Sequence, residues 1–294
     1  MQVVVVGAAS RDVSDGDPRG WRLGGAATYC ALSMARLGLR VGCLLGVDSP
    51  AAAADELSLL DAAQVDLRRV RLDRGPVFEN LEAGGHRRQR WLSRSDDLPT
   101  AALPDGWRGA TGWLLVPVAG ELGEDWASVA KAAASGGAHV GVGWQGFLRE
   151  FDDDGWVEGA APRADAILAA AGLVCASVDD FPPGTSLGLL RALVPKATLV
   201  LTAGEGGGVA MRGDKLLRYR AATAVAVDPT GAGDVFLAAL TVAWLLTGEP
   251  ATAPALRFAA AAAACSVEDV GLAGVPTGAE LAKRLRQPLA RPAG

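Results

Sequence analysis

Along most of the chain, short unbroken apolar runs alternate with stretches of helical period. Val3–Gly7 is a continuous apolar run ending in glycine, the pattern of a parallel strand covered on both faces. The polar, Gly- and Pro-bearing stretch Ala8–Leu23 reads as loop or short edge strands. Gly24-Gly25 opens a helix predicted over Ala26–Leu37, and Gly38 closes it. A second strand is expected over Leu39–Leu45 and a helix over Pro50–Ala63. The segments Val65–Leu72, Pro76–Glu82 and His86–Leu92 are short, mixed and rich in Arg. Ala83-Gly84-Gly85 joins the last two as a hairpin, so this region reads as an antiparallel insertion.

The alternation then resumes. Strands are predicted over Trp113–Val118, Ala138–Gly143, Leu173–Ala176 and Thr198–Thr202, separated by helices over Glu124–Ser135, Pro162–Ala170 and Ser186–Leu193. Val209–Arg220 reads as a hairpin and Val225–Val227 as a strand end. Ala232–Thr247 is apolar all round and is expected to be buried. A second apolar helix is predicted over Ala255–Val267, and an amphipathic one over Thr277–Arg286. Strand–helix repetition of this kind implies an α/β fold, a mostly parallel sheet flanked by helices, with ligands bound beyond the carboxyl ends of its strands. No internal repeat or interdomain linker interrupts it, so residues 1–294 are expected to form one domain.

Charge and composition narrow the function. The net charge of −5 lacks the basic balance of a nucleic-acid binder. The longest apolar stretch, Val235–Leu246, is too short to span a bilayer. Cys30, Cys43, Cys175 and Cys265 stand far apart among apolar neighbours, which fits reduced core thiols in a cytoplasmic protein. With His86 and His139 as the only histidines, a His-based zinc site or a Ser-His-Asp triad is nearly excluded.

The chemistry concentrates in Val227-Asp228-Pro229-Thr230-Gly231-Ala232-Gly233-Asp234-Val235-Phe236. Small residues at Gly231, Ala232 and Gly233 let backbone N–H groups approach a ligand, and those groups lie at a helix N-terminus that favours anions. Asp234 puts a carboxylate beside that anion site. It is either a first-turn acid complementing the helix dipole or a general base for a hydroxyl attacking phosphorus. Asp228 is by default a turn or capping residue.

D-P-T-G-A-G-D followed by V-F-L-A-A resembles the C-terminal signature of the ribokinase/PfkB carbohydrate kinase family. Further resemblances run along nearly the whole chain: Gly7 through Asp12, Leu23-Gly24-Gly25 with the helix ending Arg36-Leu37-Gly38, Gly46-Val47-Asp48, and the T-x-G-x-x-G of Thr202 to Gly207. There is also a faint likeness to myo-inositol kinases. The resemblance implies a ribokinase-like fold with a small β-strand lid, here near residues 8–23 and 65–92. It implies phosphoryl transfer from ATP with Mg²⁺ to a small sugar, polyol or nucleoside. Lids of this kind often mediate dimers, so a homodimer through the lid is a further expectation.

By the same resemblance Asp234 is the catalytic base, and Gly231, Ala232 and Gly233 form the anion hole. Asp12, Gly24 and Gly25 hold substrate hydroxyls. Thr202, Gly204 and Gly207, with Asp228, lie near the nucleotide. Three departures stand out. Tyr29 replaces a frequent Asn, Ser177-Val178-Asp179-Asp180 stands where the family has N-x-x-E, leaving Asp180 as the metal-linked acid, and Pro229 replaces Thr. Asn80 shares a strand face with Phe78 and is a candidate for a substrate hydroxyl; an ordinary hairpin polar residue explains it equally well. Arg87, Arg88 and Arg90 read as a solvated basic edge. Gly141-Val142-Gly143-Trp144-Gln145-Gly146 spells G-x-G-x-x-G, but mid-chain and before a helix-breaking acidic stretch, Asp152-Asp153-Asp154-Gly155. A dinucleotide-binding oxidoreductase is therefore a distant reading, and Gln145 is at most a substrate contact. A non-catalytic ligand-binding protein on the same fold is the main alternative.

Overall fold

The computed structural model describes residues 1–83, 86–152 and 154–286, the side chains of residues 82–88 excepted. The chain opens with β1 (Val3–Ala8), β2 (Ser10–Val13), β3 (Trp21–Gly24), α1 (Ala26–Arg36) and β4 (Val41–Val47). Two short helices follow, α2 (Ser49–Ala52) and α3 (Leu57–Ala62), then β5 (Asp66–Arg71), β6 (Val77–Ala83), β7 (His86–Ser93) and β8 (Gly112–Leu115). Next come α4 (Asp125–Ser135), β9 (His139–Gly143), β10 (Arg149–Phe151), β11 (Val157–Gly159), α5 (Ala166–Ala170), β12 (Leu173–Ser177), α6 (Leu187–Leu193) and β13 (Thr198–Thr202). The chain closes with β14 (Gly208–Arg212), β15 (Lys215–Tyr219), α7 (Ala232–Thr247), α8 (Ala253–Ser266) and α9 (Gly278–Leu285).

Nine strands form one sheet in the order β15-β14-β13-β12-β9-β8-β1-β4-β5, parallel from β13 to β5 and antiparallel at the β14–β15 edge. Residues of β1 show why the sheet is covered twice. Val3 and Val5 enter the core under α1, α7 and α8, while Val4 and Val6 enter the opposite core under α4, α5 and α6. All four are fully buried, each contributing roughly 1.5–3 kcal/mol of apolar burial. A separate sheet of order β3-β2-β6-β7 stands over the carboxyl ends of the large sheet's strands near β1 and β4.

Several sequence expectations change. The Val65–Leu72 segment forms β5, which pairs in parallel with β4 and extends the large sheet, so the small sheet is built from β2, β3, β6 and β7 alone. The helix expected over Pro50–Ala63 breaks in two. Asp48 caps α2 through the Ala51 amide, and Glu56, at the head of α3, turns out to hold Arg19 of the small sheet. Asp165 caps α5, which starts later than expected. Val225–Val227 is irregular and exposed, with Val225 at 80%.

The strand predicted to run to Val118 ends at Leu115, because Glu121 captures the amides of Val118 and Ala119. The acidic loop lies in an unexpected hairpin, β10–β11, that clasps β7: Arg90 bridges Trp156, the Trp91 amide donates to Gly155 O, and the rings of Trp91 and Phe151 stack. Arg90 therefore lies on a covered edge, its Nε donating to Asp154 O. Gly84, Gly85, Asp153 and the side chains of Arg87 and Arg88 lie outside the described residues.

Candidate active site

The carboxyl ends of β1, β9, β12 and β13, the small sheet and the N-terminus of α7 enclose a cavity of about 820 Å³. Its wall includes Asp12, Gly25, Asn80, Gln145, Asp180, Thr202, Gly204, Gly207, Gly231, Ala232, Gly233 and Asp234. The structure thus brings together most of the residues singled out from sequence. Gly24 and Asp228 are the two that do not line it.

Gly231 sits in the left-handed region, at φ 77°, and forms the N-cap of α7. This backbone turn points the first amides of the helix outward. The amides of Gly233 and Asp234 find no protein acceptor among the described residues, as expected of an anion-binding helix start. Asp228 holds the loop from behind: one oxygen accepts from the Thr230 amide at 2.9 Å, the other from Gly271 at 3.1 Å. That is the capping role assumed by default, at a remove from any ligand. Tyr29, only 2% exposed, lays its ring against Gly231, where any added Cβ would fall 2.4 Å from ring carbons. The large phenol and the glycine are therefore one packing unit.

The Asp234 carboxyl lies in the cavity. Burial pushes it up to about 7, Arg149 opposes that shift, and the carboxylates of Asp180 and Asp12 add to it. Asp12 accepts a hydrogen bond from Ser10 Oγ at 2.9 Å. Gly24 lies beneath that carboxylate, where a Cβ would fall 2.2 Å from Asp12 Oδ2, so its part is to make room for Asp12. Asn80 faces Gln89 across the β6–β7 pair and accepts from its Nε2 at 3.0 Å.

Asp180 closes a capping box with Ser177 and accepts from the Ser177 amide at 2.8 Å and Gln145 Nε2 at 3.2 Å. Burial raises its pKa. Among the described residues no group of three or more His, Cys, Asp or Glu forms a ready metal cage. Magnesium does not require one: it keeps several waters and takes one or two carboxylates plus substrate phosphates. Asp180, facing the cavity beside Asp234, fits that donor set.

The Gly141–Gly146 motif is settled by packing. Gly141 and Gly143 lie in β9, Gly146 packs on the Pro117 carbonyl, and a short turn follows where a dinucleotide site needs a helix.

Sequence reasoning missed two charged residues. Glu121, fully buried, accepts from the amides of Ala8, Val118 and Ala119 and so ties the end of β1 to the loop after β8. Arg149 lines the cavity. Its place just after the carboxyl end of β9 was the available signal, since ligands in such sheets bind there.

Residues 126–277, just over half of the chain, match the pfkB family of carbohydrate kinases. Among solved structures, a pyrophosphate-dependent kinase of the ribokinase family, complexed with a pyrophosphate analogue and myo-inositol, is similar with a TM-score of 0.74 and 17% identity, over 96% of this chain and 100% of that one. Ribokinase of Arabidopsis thaliana, complexed with ribose and ATP, gives 0.71 and 20% over 98% and 99%. Ribokinase of Thermotoga maritima gives 0.68 and 17% over 97% and 99%. No curated protein matches. At these identities the solved structures establish a ribokinase-like fold, and the family match adds the chemistry: the chain belongs to the pfkB family of carbohydrate kinases and is a phosphotransferase.

Proposed function

We propose that the protein is an ATP-dependent kinase that transfers the γ-phosphate to a hydroxyl of a small sugar or polyol, with Asp234 as the general base. One observation carries this reading: a single cavity runs from a polar end (Asp12, Asn80, Gln145), past Asp234 and the free amides of α7, to an apolar end lined by Ala224, Ala260, Ala263, Ala264 and Val267. The three parts suit an acceptor with hydroxyls, a phosphoryl group and a flat base.

Asp234 takes the proton of the attacking hydroxyl as the oxygen–phosphorus bond forms, a step worth about 10²–10⁴ in rate. The Gly233 and Asp234 amides stabilise charge on the transferred phosphoryl oxygens. Gly204 and Gly207, both at positive φ, shape the loop along the donor, and Thr202 stands at its base. Magnesium held by Asp180 and the donor phosphates supplies charge neutralisation. The small sheet acts as a lid whose closure excludes water.

A pyrophosphate donor is the second reading, favoured by similar solved structures that are pyrophosphate-dependent. The apolar end of the cavity favours ATP, since pyrophosphate would leave it unfilled. The test is ADP release with ATP and Mg²⁺ across sugars, inositols and nucleosides, beside phosphate release with pyrophosphate. Acceptor-dependent ADP release that collapses in Asp234→Asn supports the reading. Turnover with pyrophosphate alone replaces the donor. Binding of ATP and a polyol with no turnover of either donor leaves a binding protein and defeats the catalytic assignment.

A further inference from the structure

Among the described residues Arg149 is the one cation lining the cavity. Its guanidinium is fixed from two sides. Nη1 donates to Val118 O at 2.7 Å, and the group lies over the Phe78 ring, 4.7 Å from its centroid. Val118 is itself held by Glu121, and Phe78 belongs to β6 of the small sheet. Burial lowers the Arg149 pKa, and Asp180, Asp12, Asp234 and Glu121 raise it, so four carboxylates from four parts of the chain face this cation. Yet among the described residues no carboxylate comes within the ion-pairing distance of 4.0 Å. The Val118 contact engages one of the five N–H donors a guanidinium carries.

A buried cation and cavity carboxylates held apart leave space for a bridging group. That group must accept from the guanidinium and donate to the carboxylates. A hydroxyl does both; a phosphate or carboxylate on the acceptor only accepts, and would face Asp12, Asp180 and Asp234 at once. We propose that Arg149 is an acceptor-binding residue and that the acceptor is a neutral polyol whose hydroxyls bridge Arg149 to Asp12 and Asp234. The proposal rests on the kinase reading above and narrows its substrate class, excluding sugar phosphates and sugar acids.

The first arm uses the wild-type enzyme. ADP release is measured with myo-inositol, ribose and fructose against fructose 6-phosphate and gluconate, and melting shifts are recorded for the same compounds. Turnover or a melting shift confined to neutral compounds is expected. Preference for an anionic compound, or no response to any neutral one, overturns the proposal. Melting shifts with neutral compounds but no ADP would defeat the kinase reading while leaving the acceptor assignment standing.

The second arm compares Arg149→Met and Arg149→Lys. Losing charge-assisted hydrogen bonds should raise the acceptor KM by about 10- to 100-fold, with ATP affinity changed less than about 2-fold. Arg149→Lys should recover part of the loss, and added guanidinium ion part of the loss in Arg149→Met. Both variants must keep the wild-type circular dichroism spectrum. If Arg149→Met misfolds, Arg149→Lys and the wild-type panel still decide. An unchanged acceptor KM in a folded variant, or equal losses toward ATP and acceptor, overturns the proposal.

Discussion

The two walls of the cavity are built on different physics. The body wall rests on strands such as β1, with every valine buried, and on α7, sunk in apolar contacts along nine of its residues. The small sheet is held by charge and ring contacts. Arg19 pairs with Asp17 and Glu56, Arg11 pairs with Asp48, both lie over Trp21, and the β10–β11 clasp grips Trp91. Exposed pairs of this kind are worth about 0.2–1 kcal/mol each, whereas core burial is additive and large. The difference separates two jobs. The wall bearing the base and the anion loop is rigid, and the wall proposed to close over the acceptor is attached weakly enough to move.

The largest expected effect is on the rigid wall. Asp234→Asn should lower kcat by about 10²–10⁴ with the fold intact, read by steady-state kinetics beside a melting curve. Next is Gly231→Ala, which forces a side chain into the left-handed region and against Tyr29. It should cost about 1–3 kcal/mol in urea unfolding and disable the anion loop, and Tyr29→Ala in the same chain should return part of the stability.

The pH profile follows from Asp234. Its carboxyl is raised, so it is protonated and unable to accept a proton at low pH. Thus kcat/KM should rise about tenfold per pH unit up to about 7 and then level off. A profile already flat at pH 5 would contradict the assigned base.

On the weak wall, Trp91→Ala removes the stack on Phe151, a contact worth about 0.5–1.5 kcal/mol. It should raise the acceptor KM several-fold while global stability changes little. Hydrogen exchange sharpens the contrast: amides of β6 and β7 should exchange well before those of β1 and β4. Equal protection would erase the distinction between the walls. Smallest is Arg19→Met, at about 0.2–1 kcal/mol and fading with added salt in a melting series.

The rigid wall was legible in the sequence because it is written locally. Val3–Gly7 reads as a strand, and Asp228 to Asp234 as a strand–turn–helix anion site, from contiguous residues. The rest depends on partners far along the chain. Glu121 looks like a surface acid until it meets the amide of Ala8, and Arg149 looks solvated until Phe78 and Val118 enclose it. β5 reads as part of an Arg-rich insertion, yet its parallel pairing with β4 places it in the large sheet. The β10–β11 hairpin has three residues per strand and an acidic loop, too little pattern to distinguish from coil.

The small sheet takes β2 and β3 from before α1 and β6 and β7 from after β5, and joins them by the parallel β2–β6 pairing. No continuous piece of chain can make it. During synthesis β2 and β3 must wait, unpaired along one edge, until residue 83 has followed them. Non-local pairing of this sort is slow to form. The acceptor wall is therefore expected to order late in folding, on a body already partly assembled, and moving it to another enzyme of this fold would require transplanting two segments in register.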